Sequence, residues 1–357
     1  MTTLSPTDPS GSGHPRVVIT NQGALRMLSD RNRSQEQRTR AIELTRPFQL
    51  IWESSGDPAL LREALRDADM LVTENEIAIT RDMWVGARRL KLIQINGHSC
   101  RSVDVTAAAE AGIAVATLPL VTSESVAEHT ISLMLALARR LLPGDRIVRA
   151  GASSAHGEPV KVTPGRARYN WPELTGHKLL AESTLSILGL GDIGIGVAKR
   201  ATALGMRVLY SQRHRLPTEE EDRLSARFVG LEELLAAADW LTIHVRFSSE
   251  TQRLIGAPEL ARLPRGAYLI NTARGPIVDE DALVGALRSG HLAGAGLDVF
   301  WVEPPPTDHP LYTFDNVVLT PHCAAGDLDN ALSEVRQVFD ELRRVWAGHP
   351  PSHPVRR

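Results

Sequence analysis

From Arg16 to Thr320 the chain alternates short apolar runs with segments of helical periodicity, and few folds accept that pattern. "RVVIT", "FQLIW", "DMLVT", "KLIQI" and "IAVAT" read as buried strands, with "PALLREALRDA" and "VDVTAAAEAG" as helices among them. A second series holds "TLSILGLG", "MRVLYS", "WLTIHV", "AYLINTA", "GAGLDVF" and "NVVLT", joined by helices that include "DIGIGVAKRATALG" and "DEDALVGALRSG". Strands that are apolar throughout have no face to show to water. Separated by helices, they predict parallel sheets covered on both sides, an α/β architecture. At 357 residues there is chain enough for two such domains.

Two stretches interrupt the alternation. "SESVAEHTISLMLALARRL" predicts a long helix between the two series, with Ser123 as its cap and Glu124 and Glu128 suiting the positive end of its dipole. From Gly144 to Glu182 the sequence is irregular, rich in Gly, Pro and basic residues, and predicts a surface excursion. The last helical segment, "LDNALSEVRQVFDELRRVWAG", follows the second series and is expected to return to the first domain. Residues 1–15 read as a disordered tail without the charged and apolar blocks of a signal peptide.

A net charge of −2 gives no electrostatic reason to expect nucleic acid or an acidic membrane as partner. No run is apolar for long enough to cross a bilayer. Cys100 and Cys323 cannot build a disulfide framework; they read as free, partly buried thiols of a cytoplasmic protein.

The chemistry gathers at strand ends. "LGLGDIG" sets Gly189, Gly191 and Gly194 at the spacing of a dinucleotide-binding turn, between an apolar strand and a helix that begins near Asp192 and Ile193. "LINTARG" ends a strand in Thr272, Ala273 and Arg274; "GAGLDVFWVEPPP" ends another in Asp298 and then Glu303; "VVLTPH" ends a third in His322. Ligands of open parallel sheets bind beyond these ends. Arg274 can hold a carboxylate through two parallel hydrogen bonds and polarise a neighbouring carbonyl. His322 can exchange a proton near neutral pH, and Glu303, if it reaches the ring, would favour the imidazolium. Singly, each of these is an ordinary surface residue. On successive ends of one sheet they make a site where a nicotinamide supplies hydride. No metal is expected there.

The strand "RVLYS" runs on into Ser211, Gln212, Arg213, His214 and Arg215. An Asp or Glu usually holds the adenosine ribose at this place. With no acid to repel a 2′-phosphate, and with Ser211 and Arg213 or Arg215 to donate hydrogen bonds, NADP is expected over NAD, which remains a possible cofactor.

In order and spacing, "SVAEHTISLMLALAR", "LGLGDIG", "NTARGPIVDEDAL", "GLDVF…EPP" and "TPH" resemble the D-isomer-specific 2-hydroxyacid dehydrogenase family, its glyoxylate/hydroxypyruvate reductase-like members among them. The resemblance covers nearly the whole chain. It implies a Rossmann cofactor domain, residues 118–326, inserted in a flavodoxin-like discontinuous substrate domain of residues 16–117 and 327–357, both doubly wound parallel sheets. It implies a homodimer acting on a 2-oxo or 2-hydroxy acid. Arg274 would bind and polarise the oxo acid, His322 would be the acid/base, Glu303 would orient it, and Asp298 would meet the nicotinamide amide. Thr272 and Ala273 would line the cofactor.

The resemblance also places the substrate loop at "NGHSCRSVD", where Gly97 remains but Ser99 and Arg101 replace the usual Gly and Asp. Gly97, His98 and Ser99 would bind the substrate carboxylate. Arg101 is either a contact to an extra anionic group or a solvated loop residue. Two alternatives on the same scaffold are oxidation of a phosphorus-containing acid and a dinucleotide-sensing binding protein like the C-terminal binding protein corepressors.

Overall fold

The computed structural model describes residues 14–20, 25, 28, 34–53, 55–74, 77–97, 100, 102–151, 159–326 and 328–355. Of the expected N-terminal tail, only His14 and Pro15 fall among them. The chain divides into two compact units, one of Met1–Ser123 with Gly326–Arg357 and one of Glu124–Ala325.

The first stretch of chain runs β1 (Arg16–Ile19), α1 (Gln35–Leu44), β2 (Gln49–Trp52), α2 (Pro58–Leu65), β3 (Met70–Thr73), β4 (Leu92–Asn96), α3 (Val105–Glu110) and β5 (Ala114–Leu118). Helix α4 (Val121–Ala138) begins in this unit and continues into the next. There follow α5 (Leu141–Ala150), β6 (Thr184–Leu188), α6 (Asp192–Ala203), β7 (Arg207–Ser211), α7 (Thr218–Leu224), β8 (Ala226–Phe228) and α8 (Leu231–Ala236). The rest is β9 (Trp240–Ile243), α9 (Ala257–Arg262), β10 (Ala267–Asn271), α10 (Glu280–Arg288), β11 (Leu292–Leu297), β12 (Val317–Leu319) and α11 (Leu328–Trp346).

In the first unit the strands form one parallel sheet in the order β2-β1-β3-β4-β5, the flavodoxin-like arrangement. Side chains alternate between its faces. Val17, Ile19, Met70 and Val72 meet the stripe Leu332, Val335, Phe339 and Leu342 of α11, while Val18, Leu71, Ile93 and Ile95 meet Leu61, Leu65 and Ala108 of α2 and α3. The C-terminal helix thus packs on the sheet of the first unit, as its sequence led one to expect.

The second unit holds a seven-stranded sheet, β12-β11-β10-β9-β6-β7-β8, parallel at every pairing. Its order reverses between β6 and β9, the switch point at which a Rossmann sheet opens a crevice. One face buries Ile187, Val208 and Ile270 against Leu133, Leu137 and Val197; the other buries Leu209, Leu241 and Leu269 against Leu234, Leu260 and Leu283. Trp240 and Tyr268 stack at 4.2 Å between adjacent strands.

Three details depart from the sequence reading. Helix α4 starts at Val121, so Ser123 lies in its first turn and is not its cap. The supposed excursion begins as α5, a helix through Ala150 with no buried residue, whose Pro143 and Gly144 read as helix breakers in the sequence. Helix α1 buries only Ala41 and was invisible to periodicity; a capping box holds its start, in which Ser34 Oγ accepts the Gln37 amide and Gln37 Oε1 accepts the Ser34 amide. No helix among the described residues is long and apolar enough to cross a membrane.

Candidate active site

The glycine turn follows β6 at the switch point. Gly189 sits at φ 95°, and a Cβ there would lie 2.8 Å from the carbonyl carbon of His244. At Gly194 a Cβ would lie 2.3 Å from the oxygen of Gly189, so this residue lets α6 close against the turn. Gly191 differs: a Cβ there would meet nothing within 4 Å. Gly191 is also the N-cap of α6 and offers no side chain to the first-turn amides of Asp192, Ile193 and Gly194. Open space beside a helix terminus whose N-cap is a glycine fits a dinucleotide diphosphate.

Strands β10, β11 and β12 end on the same edge. At the end of β10, buried Asn271 accepts the Ala273 amide on Oδ1 at 3.0 Å and donates through Nδ2 to the Arg274 carbonyl at 2.9 Å. That brace presents Arg274 as an exposed side chain after the buried Thr272. Thr272 Oγ1 pairs with Thr130 Oγ1 of α4 at 3.0 Å. Gly275 permits the next contact, since a Cβ would fall 2.2 Å from the carbonyl carbon of Phe300. The Phe300 amide donates to Glu303 Oε1 at 3.0 Å, and Glu303 Oε2 lies 2.6 Å from His322 Nδ1. Burial pushes the Glu303 carboxyl up, but hydrogen bonds from His322 and the Phe300 amide and the charges of His322 and Arg274 outweigh it. The net position is below the ordinary glutamate value.

Asp298 lies past β11 with no exposed surface. Its Oδ1 accepts from Thr320 Oγ1 at 2.6 Å and from the Cys323 amide at 3.0 Å, and its Oδ2 accepts from the Ala324 amide at 2.8 Å. His129 of α4 approaches the same place, with Nε2 2.9 Å from Thr320 Oγ1 and 3.5 Å from Asp298 Oδ1. Among the described residues, His129, Asp298 and Cys323 are the one group of potential ligands at metal spacing. The Thr320 hydroxyl already bridges the first two, so the cluster is a hydrogen-bonded network. Burial and the neighbouring Asp298 charge push the Cys323 thiol up, away from the thiolate, although the residue is exposed where partial burial was expected.

Residues 131–324 match the family model described as D-isomer specific 2-hydroxyacid dehydrogenase, NAD binding domain. A glyoxylate reductase of Korarchaeum cryptofilum is 33% identical over 344 residues, 96% of each chain. The chain belongs to the D-isomer specific 2-hydroxyacid dehydrogenase family. Other relatives of this dehydrogenase include a D-3-phosphoglycerate dehydrogenase of Methanocaldococcus jannaschii, 38% identical over 81% of this chain and 52% of its own. A solved glyoxylate reductase of Paecilomyes thermophila is 28% identical, with a TM-score of 0.56 over 96% of this chain and 98% of the other. The protein is thus an enzyme, and the cofactor of its family domain is a nicotinamide dinucleotide.

In the dehydrogenase the segment after β7 is more committed than its sequence suggested. Gln212 Oε1 accepts the Leu190 amide of the glycine turn at 3.0 Å, and its Nε2 donates to the His214 carbonyl at 2.6 Å. Arg215 is drawn away to the buried Glu221 at 2.7 Å, a carboxylate that also accepts the Tyr210 hydroxyl at 2.5 Å. The Arg215 hydrogen bond is the largest influence on Glu221 and holds it below the ordinary carboxylate value, while burial and Glu221 push Tyr210 up to about 12. Ser211 is 9% exposed. Arg213 remains at the surface, 3.3 Å from Glu250. Glu250, the acid beside Arg213, arrives from beyond β9, where no local motif announces it.

On the first unit, Gly97 follows β4 at φ 134°, its amide donating to the Leu118 carbonyl at 2.7 Å. His98, Ser99 and Arg101 lie outside the described residues. Sequence reasoning missed Asn271, Ser125, His129, Thr320 and Glu250. The first four sat inside or beside recognised motifs; Asn271 bonds within its own turn, whereas nothing local marks the bonds that tie Ser125 to Ala324 and His129 to Thr320 across 199 and 191 residues.

Proposed function

We propose that this dehydrogenase reduces a small 2-oxo acid of the glyoxylate class to its D-2-hydroxy acid, with His322 as acid/base, Glu303 as its orienting partner and Arg274 as the cation that binds and polarises substrate. The 2.6 Å contact between His322 Nδ1 and Glu303 Oε2 carries the reading. Glu303 is a carboxylate at neutral pH, so it accepts and Nδ1 carries the proton. The ring's remaining nitrogen, Nε2, is left for the substrate oxygen. A bound nicotinamide supplies the hydride. In reduction His322 gives its Nε2 proton to the carbonyl oxygen as negative charge grows there, and in the reverse direction it takes that proton back. Arg274 holds the substrate carboxylate by charge-assisted bonds and lowers the cost of charge on the carbonyl.

Gly189, Gly191, Asp192, Ile193 and Gly194 would hold the diphosphate, Thr272 and Ala273 the nicotinamide end, and Ser211, Gln212 and Arg213 the adenosine ribose. NADPH is the preferred cofactor in this proposal. It rests on the missing acid at the end of β7 and on Arg213, since Arg215 is engaged elsewhere. Residues 16–117 and 327–357 would act as the substrate domain, with Gly97, His98 and Ser99 at the acid. Helix α5, which exposes Leu141, Leu142 and Val148, would help build a homodimer. The free thiols Cys100 and Cys323 suit the cytoplasm.

The test is turnover of glyoxylate with NADPH and with NADH, in the wild type and in His322→Ala. Loss of about a thousandfold or more in kcat is expected for the variant. A second reading, a phosphorylated hydroxy acid as substrate, draws on the phosphoglycerate dehydrogenase relative. Turnover of 3-phosphoglycerate with NAD and none of glyoxylate would favour it.

A further inference from the structure

We propose that Ser125 and His129 of α4, acting through Thr320 and Asp298, are positioning residues that set the turn carrying His322. The inference rests on the reading of His322 as the acid/base. Among the described residues, both carboxylate oxygens of Asp298 accept hydrogen bonds from the segment from Thr320 to Ala324. The Thr320 hydroxyl has one proton and gives it to that carboxylate at 2.6 Å. At 2.9 Å from His129 Nε2 it must therefore accept, so His129 carries its proton on Nε2. One helical turn earlier on the same face of α4, Ser125 Oγ donates to the Ala324 carbonyl at 2.9 Å. Two side chains of one helix thus grip both ends of the segment.

His322 stands between those grips at φ 53°, a backbone region in which a non-glycine residue persists when its surroundings over-determine it. The His322 amide closes on the Thr320 carbonyl at 3.0 Å, and the Thr320 amide on Leu297 of β11. The tilt of the imidazole toward Glu303 is therefore set from Thr320. Buried Asp298 reaches the chemistry through this turn, a different route from direct contact with the nicotinamide amide.

Thr320→Val keeps the shape and removes the hydroxyl; Thr320→Ser keeps the hydroxyl. With glyoxylate and NADPH as probes, Thr320→Val is expected to lose about 10- to 100-fold in kcat, as a misplaced catalytic group does. Its NADPH dissociation constant, read by fluorescence, should stay near wild type, its Tm should fall by a few degrees for the lost bond to buried Asp298, and Thr320→Ser should recover Tm and bring kcat to within about threefold. In a His322→Ala background Thr320→Val should cost nothing more, because the turn has then no imidazole to aim. Wild-type kcat in Thr320→Val overturns the clamp, and so does an equal further loss in the His322→Ala background. If Thr320→Val does not fold, His129→Leu carries the same comparison. Full turnover in His322→Ala would sink the acid/base reading itself, whereas a dead His322→Ala beside a fully active Thr320→Val would sink only the clamp.

Discussion

Replacing Glu303 by Gln changes one atom type and tests the centre of the site. Both partners of the Glu303 carboxylate donate to it, the Phe300 amide to Oε1 at 3.0 Å and His322 Nδ1 to Oε2 at 2.6 Å. A carboxylate can accept both, but a carboxamide has one oxygen and one NH2 group. Glu303→Gln must therefore either turn a donor toward a donor at one of the two contacts or shift the His322 ring proton from Nδ1 to Nε2, and it loses the charge at both. A charge-assisted bond contributes about 1.5–3 kcal/mol. The two side chains are 41% and 36% exposed, so water screens part of that. The lower half of the range, about 1.5–2 kcal/mol, corresponds to a loss of roughly 10- to 30-fold in kcat. Stopped-flow oxidation of NADPH by glyoxylate reads the step, with NADPH affinity and Tm as controls. Wild-type kcat in a folded Glu303→Gln would show that the pair does not assist proton transfer.

Three further outcomes follow from particular contacts. Glu250→Gln should raise kcat/KM for NADPH a few-fold and leave NADH unchanged, while Arg213→Ala should lower NADPH by about tenfold, as loss of a charge-assisted phosphate contact does; equal effects on both cofactors would remove Arg213 from the 2′-phosphate site. Gly194→Ala puts a methyl 2.3 Å from the Gly189 oxygen, so the variant should lose about 1–3 kcal/mol of stability and its NADPH binding; unchanged Tm and affinity would contradict the close approach. Desolvation pushes the His244 ring, surrounded by protein although the residue keeps some surface, down to about 3 from 6.5. Between those values the unfolded chain takes up a proton that the fold refuses, so this contribution is full above 6.5 and lost as pH falls toward 3. Wild-type Tm should accordingly fall more steeply from pH 6 to 4 than that of His244→Gln, and equal slopes would refute the buried neutral ring.

The sequence by itself determined what is local. Apolar runs separated by helices specified two parallel sheets, because a strand buried on both faces must be apolar throughout. Glycine spacing marked the turn after β6, and strand ends marked Arg274, Asp298 and His322 on one edge. Some elements escaped. Helix α1 buries one alanine and has little apolar stripe, α5 carries the breakers Pro143 and Gly144 near its start, and β8 is three residues long.

Only the tertiary structure decided which of the marked residues meet. Glu303 pairs with a histidine 19 residues away, and His129 reaches Thr320 across 191 residues. Arg215 was one of two candidate arginines in sequence, and the fold pairs it with buried Glu221. Asp298 is marked in sequence only as a strand end, and the fold turns both its carboxylate oxygens to the segment from Thr320 to Ala324. A residue's type sets what bonds it can make, but its partner is chosen by the packing of distant elements, and a bond across folded space leaves no periodic trace along the chain.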